Sequence, residues 1–119
     1  FFIYTGSTCD DVIAHHTNIV GRPALPPYWA LGFHQSRWGY KTVDDLQEVV
    51  DGFSTHLIPV DTFWVDIDYM DRFVNFRFND ERFPREKIDL LASRLAASGL
   101  GLVYIVDPVV PANSSLFLW

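Results

Sequence analysis

The chain has 119 residues, 49% hydrophobic and 16% aromatic, enough to bury roughly two thirds of its unfolded surface and to build a sizeable core. Its formal net charge is −6 and it has no Lys/Arg cluster, which excludes a phosphate backbone or an anionic membrane surface as its natural partner. Cys9 is the single cysteine, which excludes an internal disulfide and a cysteine-based metal site.

No run approaches the roughly 18 apolar residues of a membrane span. The start FFIYTGST lacks the charged region and long apolar core of a signal peptide, so the chain reads as beginning inside a longer polypeptide. FFIYTG is a short aromatic and β-branched run ended by Gly6, which predicts a strand and a turn. Ser7 or Thr8 then caps a helix, because Val12, Ile13, His16, Ile19 and Val20 fall at helical spacing before Gly21 and Pro23. GRPALPP is an extended connector and marks a domain boundary near residue 27.

From Tyr28 onward apolar runs alternate with amphipathic stretches. YWALGFHQ reads as a strand, and Thr42 caps a helix that places Val43, Leu46, Val49, Val50 and Phe53 on one face. PVDTFWVDI is a second strand. A helix follows near residues 85–98, with Ile88, Leu91 and Leu95 on one face and Gly99 at its end, and LVYIVDPVV is a third strand. Nearly continuous apolar strands separated by helices predict an α/β fold with parallel strands, either a (β/α)8 barrel or a doubly wound sheet. No glycine-rich phosphate loop follows any strand, which favours the barrel.

Parallel α/β folds bind ligands at the carboxyl ends of their strands. The three runs end in His34 to Trp38, in Asp66 and Asp68, and in Asp107. Strand alternation predicts that Trp64, Asp66 and Asp68 share a face, where two carboxylates repel unless donors, a cation or protonation offsets the cost. Sugar hydroxyls supply donors, and Arg37 or Arg72 could supply charge; alternatively, either aspartate caps a loop or pairs with Arg72. Trp38 suits a sugar-stacking platform or a core position. His34 suits a substrate contact or a satisfied core hydrogen bond, and Asp107 a ligand contact or a strand terminator. His15 and His16 are adjacent on one helix and do not face a common metal. Asn113 begins an Asn-x-Ser triplet that accepts N-glycans on a secretory route, although such triplets also arise by chance.

Taken together, GRPALPPYWALGFHQSRWGY, IPVDTFWVDIDYMD and IVDP resemble, in order and spacing, glycoside hydrolase family 31, the α-glucosidase and maltase family. The resemblance implies a partial (β/α)8 TIM barrel, its first three strand-helix units occupying residues 28–119, with residues 1–27 as the tail of an N-terminal β-sandwich domain and the connector. It implies that Asp66 bonds hydroxyls of the terminal glucose in the −1 subsite, that Ile67 and Ile105 line that pocket, and that Trp38 forms its wall. Asp68, His34 and Asp107 then support these residues from behind. The DIDYM form is closer to the maltase and acid α-glucosidase branch than to the glucosidase of the endoplasmic reticulum. No metal or organic cofactor is implied.

The resemblance also implies that the nucleophile and the acid/base aspartate lie on later strands, beyond Trp119. Asn75, Phe76 and Arg77 stand where the family usually has Asp-Phe-Thr, and SSLFLW departs from the pattern after IVDP. The expected function is therefore a fragment of a retaining α-glucosidase that acts on terminal α-linked glucose of oligosaccharides, in a secreted, lysosomal or vacuolar protein. Two alternatives stay open. One is a carbohydrate-binding or degenerate copy without chemistry, and the other is a metal-dependent glycosyltransferase using Asp66-Ile67-Asp68 as an Asp-x-Asp motif.

Overall fold

The computed structural model of the chain describes residues 1–108 and residue 112. Residues 1–6 form no strand, in contrast to the expectation from FFIYTG, because among the described residues no neighbouring strand offers them a hydrogen-bonded edge. The first element is helix α1, Cys9–Val20. Thr8 caps it: the Asp11 N–H donates to Thr8 Oγ1 at 3.2 Å while the Thr8 N–H donates to Asp11 Oδ2 at 3.0 Å, the reciprocal arrangement that satisfies two orphan donors. None of its residues is buried, so local capping rather than packing holds α1 together.

An extended connector follows to Pro27, consistent with its prolines. Residues Tyr28–Leu31 then form a 3-10 turn, not the start of a strand. Pro27 presents its carbonyl to the Ala30 N–H at 3.0 Å, and Trp29 does the same for Gly32 at 3.2 Å. Strand β1 is therefore confined to His34–Gln35. Helix α2, Val43–Thr55, strand β2, Thr62–Val65, helix α3, Arg85–Ala97, and strand β3, Gly101–Tyr104, are the remaining α-helices and strands among the described residues. Three strands and the two helices between them are thus described, and the helix of the expected third strand-helix unit would fall after residue 108, outside the described residues.

The sheet is parallel throughout, in the order β1-β2-β3, with His34 opposite Thr62 and Thr62 opposite Gly101. Alternation sorts the side chains. Phe63 and Val65, both fully buried, face the helices, where Leu46 and Val50 of α2 and Ile88, Leu91 and Leu95 of α3 close the core. The opposite face carries His34, Thr62, Trp64, Gly101 and Val103. Helix spacing in the sequence chose this core correctly, since the residues predicted for α2 and α3 are the ones that pack.

Candidate functional site

Strand β2 stops at Val65 for a local reason. Asp66 turns its carboxylate back onto the chain, Oδ1 accepting the Ile67 N–H at 2.7 Å, and starts a 3-10 turn over Ile67–Tyr69. This corrects the expectation that Asp66 and Asp68 share a strand face. Asp68 lies in the turn, buried, where its Oδ2 accepts the Gly39 N–H at 2.8 Å. Gly39 has φ +121°, a conformation open to glycine and strained for other residues. The repulsion anticipated between the two carboxylates is thereby offset by two separate backbone donors. Arg72 reaches Asp71 instead, at 3.5 Å, and Arg37 makes no ion pair among the described residues.

Asp66 is half-buried, and among the described residues no donor is bonded to its Oδ2. Asp66 follows the last β2–β3 pair, Val65 opposite Tyr104, and Ile105, the residue after Tyr104, is half-buried and packs against the core. The Ile105 N–H donates to the Val65 carbonyl at 3.0 Å, the last bond of the β2–β3 ladder. Trp38 lies in the turn that follows β1, next to Gly39, and is 70% exposed. Ile67 is half-buried inside the 3-10 turn and packs against the core.

On β1, His34 is level with Thr62, two positions before Trp64 on the neighbouring strand. The Trp64 indole Nε1–H donates to His34 Nδ1 at 2.9 Å, and His34 Nε2 lies 3.0 Å from the Trp29 carbonyl. An indole nitrogen only donates and a carbonyl only accepts, so Nδ1 is the bare nitrogen and Nε2 carries the proton. Trp29 stacks on the imidazole at 5.8 Å and 17°.

The loop after β2 is tied to the end of β3. Asn75, buried, donates from Nδ2 to the Asp107 carbonyl at 2.7 Å and accepts the Asp107 N–H at 3.0 Å. Tyr69, also buried, donates its hydroxyl to the Ile105 carbonyl at 3.0 Å. Burial raises the Tyr69 phenol above its ordinary range, opposed by a backbone hydrogen bond from Phe76 and reinforced by the charge of Asp107. Sequence reading missed the roles of Gly39, Trp64 and Asn75. The glycine after Trp38 was the one visible signal, because partners 29 to 32 residues apart leave no local pattern. Asn113 lies outside the described residues.

Among the described residues no group of three or more His, Cys, Asp or Glu side chains is placed to hold a metal ion, and no helix is long and apolar enough to cross a membrane.

The family model for the glycosyl hydrolases family 31 TIM-barrel domain matches residues 23–117. A probable alpha-glucosidase of Oryza sativa subsp. japonica is 39% identical over 115 residues, covering 97% of this chain and 13% of the relative. A probable alpha/beta-glucosidase of Aspergillus fumigatus is 41% identical over 116 residues, with 98% and 13% covered. Among solved structures, a glucosidase II alpha subunit in its DNJ-bound form superposes with a TM-score of 0.84 at 30% identity, covering 95% of this chain and 12% of that one. A family 31 dextranase of Flavobacterium johnsoniae complexed with isomaltotriose gives 0.78 at 27% identity, covering 88% and 13%. The chain therefore spans about 13% of the length of the curated relatives it matches.

Proposed function

The chain belongs to glycosyl hydrolase family 31, within its TIM-barrel domain, and from that premise we propose that it is the part of a retaining α-glucosidase barrel that grips the terminal glucose of an oligosaccharide. The observation that carries this reading is Asp66. Its carboxylate ends β2 at the substrate end of the sheet, with one oxygen spent on the Ile67 N–H and the other without a protein donor among the described residues. An acceptor left so suits a sugar, whose hydroxyls donate, and in this reading the exposed Trp38 in the turn after β1 offers a surface for its apolar ring face.

In this reading Asp66 binds hydroxyls in the −1 subsite, Ile67 and Ile105 line it, and Trp38 forms its wall. Asp68 acts through Gly39 to hold the RWGY segment in place, and Asn75 holds Asp107. Hydrolysis with retention needs two carboxyl groups roughly 5 Å apart, one attacking the anomeric carbon and one protonating the leaving oxygen before activating water. Those two groups would come from strands outside these three. Residues 1–27 would lead from a preceding β-sandwich domain into the barrel, and Asn113 would carry a glycan on a secretory route, a location in keeping with the endoplasmic reticulum glucosidase II among the similar structures.

Asp66→Asn in the full-length protein should weaken binding of an α-linked glucose disaccharide about tenfold or more, as loss of a charged acceptor does. Unchanged affinity, measured by calorimetry or from KM, would refute the subsite. The glycosyltransferase reading of Asp66-Ile67-Asp68 is not better supported: it needs both carboxylates on one cation, whereas Asp68 is buried on the Gly39 N–H.

A further inference from the structure

Trp64 stands two positions before Asp66, on the face of β2 turned away from the helices, and in the subsite reading its ring is the floor under the sugar that Asp66 holds. A tryptophan there can rotate, and a floor that rotates presents no fixed surface. Its indole N–H is instead bonded to His34 Nδ1, across the β1–β2 pair, and His34 is in turn held by the Trp29 carbonyl and by stacking on the Trp29 ring. Both imidazole nitrogens are used, one as acceptor and one as donor, so the ring has a single orientation and a single tautomer that satisfy both neighbours. His34 and Trp64 are both half-buried, which leaves their bond partly shielded from competing water.

We propose that His34 is a positioning residue for the sugar subsite: it touches no substrate itself and fixes the Trp64 ring as the floor under Asp66. The inference rests on the subsite reading above and adds to it the device that sets the floor. Sequence reading left His34 open between a substrate contact and a core hydrogen bond. With Nδ1 accepting from Trp64 and Nε2 donating to Trp29, neither ring nitrogen is left for a hydroxyl, which removes the substrate contact. The bond to Trp64 gives the remaining role a consequence for binding.

The test uses the full-length protein with His34→Ala, His34→Gln, Trp64→Phe, the His34→Ala/Trp64→Phe pair, and Asp66→Asn as the reference. The probe is an α-linked glucose disaccharide, and each variant is checked for folding by circular dichroism. His34→Ala is expected to raise KM about fivefold to tenfold, the effect of one half-buried donor left without its acceptor, with kcat largely retained. Trp64→Phe keeps a ring and removes the donor, so it should cost as much, and the pair should cost no more than either alone. His34→Gln supplies an amide that can both accept and donate, and should restore most of the affinity. The indole N–H band of Trp64 in ultraviolet resonance Raman spectra, identified as the one lost in Trp64→Phe, should move to the free N–H position in His34→Ala and return in His34→Gln. Weakening by Asp66→Asn with no effect of His34→Ala and Trp64→Phe would overturn the positioning role alone. No effect of Asp66→Asn would overturn the subsite on which it stands. Should His34→Ala fail to fold, Trp64→Phe decides, since unaltered KM there would overturn the proposal.

Discussion

Single atoms decide more of this site than residue class does. Gly32 illustrates the point: a Cβ there would lie 1.9 Å from Asp61 Oδ2, the oxygen that accepts the Phe33 N–H at 3.1 Å. Gly32→Ala must push that carboxylate away and orphan the amide, so a loss of about 1–3 kcal/mol is expected in urea unfolding. Tyr69 supplies a pH signature. Its phenol is raised by burial, so in alkali the unfolded chain loses the proton first and binds fewer protons than the folded one. The contribution of Tyr69 is complete below the ordinary phenol range and is lost as pH climbs through the raised value. Thermal melts from neutrality upward should show stability falling in alkali, and the fall should be shallower in Tyr69→Phe, which also gives up about 1 kcal/mol at neutral pH with its bond to Ile105. Trp38, Asp66 and Asp107 were legible as candidate residues because strand ends in parallel folds are where polar side chains gather. The atoms that hold them in place were not, because a backbone N–H such as that of Gly39 has no letter in a sequence.

Among the elements, α2 and α3 followed from spacing and capping because each buries one stripe of apolar residues and exposes the rest. The Thr42 box, with the Asp45 N–H on Thr42 Oγ1 at 3.1 Å, repeats the Thr8 box of α1. Strands fared less well, since YWALGFHQ reads as one mostly apolar strand and yields a pair of strand residues after a 3-10 turn. Apolar content marks burial, and hydrogen-bonded neighbours decide whether a run becomes strand. The two helices are joined on their solvent side by Lys87 to Asp44 at 2.8 Å and Arg94 to Asp51 at 2.5 Å. The Arg94 guanidinium holds Asp51 below the usual carboxylate range, with help from Gln47, so whatever it adds is present at neutral pH and vanishes as pH falls through that lowered value. Exposed pairs add little. Leu95→Ala, at a fully buried position, should cost about 2–5 kcal/mol in denaturant unfolding, while Asp51→Asn should be nearly silent and its small effect should disappear in high salt. The reverse ranking would mean that surface pairing, not the apolar stripe, seats the helices on the sheet.

As a whole molecule the chain is extended, with a radius of gyration of 19.8 Å against about 13.5 Å for a compact domain of its length. Strands β1 and β3 each have one side without a neighbouring strand among the described residues, and Tyr28, Leu31, Phe73 and Phe76 are exposed. In the proposed function those surfaces meet the remaining strands of the barrel. The isolated 119-residue chain should therefore self-associate at micromolar concentration in sedimentation experiments, because open parallel edges and apolar faces find one another. It should also show no hydrolysis of an α-glucoside. A monodisperse, active preparation would refute the view that the catalytic pair comes from other strands.

What the sequence determined by itself was the alternation of helix and strand, the core stripes of α2 and α3, the caps, and the family, because each of these is written in local spacing or in long ordered motifs. Tertiary structure alone decided that β2 ends at Val65, that Asp68 turns away to Gly39, that Asn75 clamps Asp107, and that His34 has room for a single tautomer. The physical reason is the same in every case. Hydrogen bonds between groups some thirty residues apart depend on register and on the last few degrees of a turn, and neither is encoded in the identity of the residues that form them.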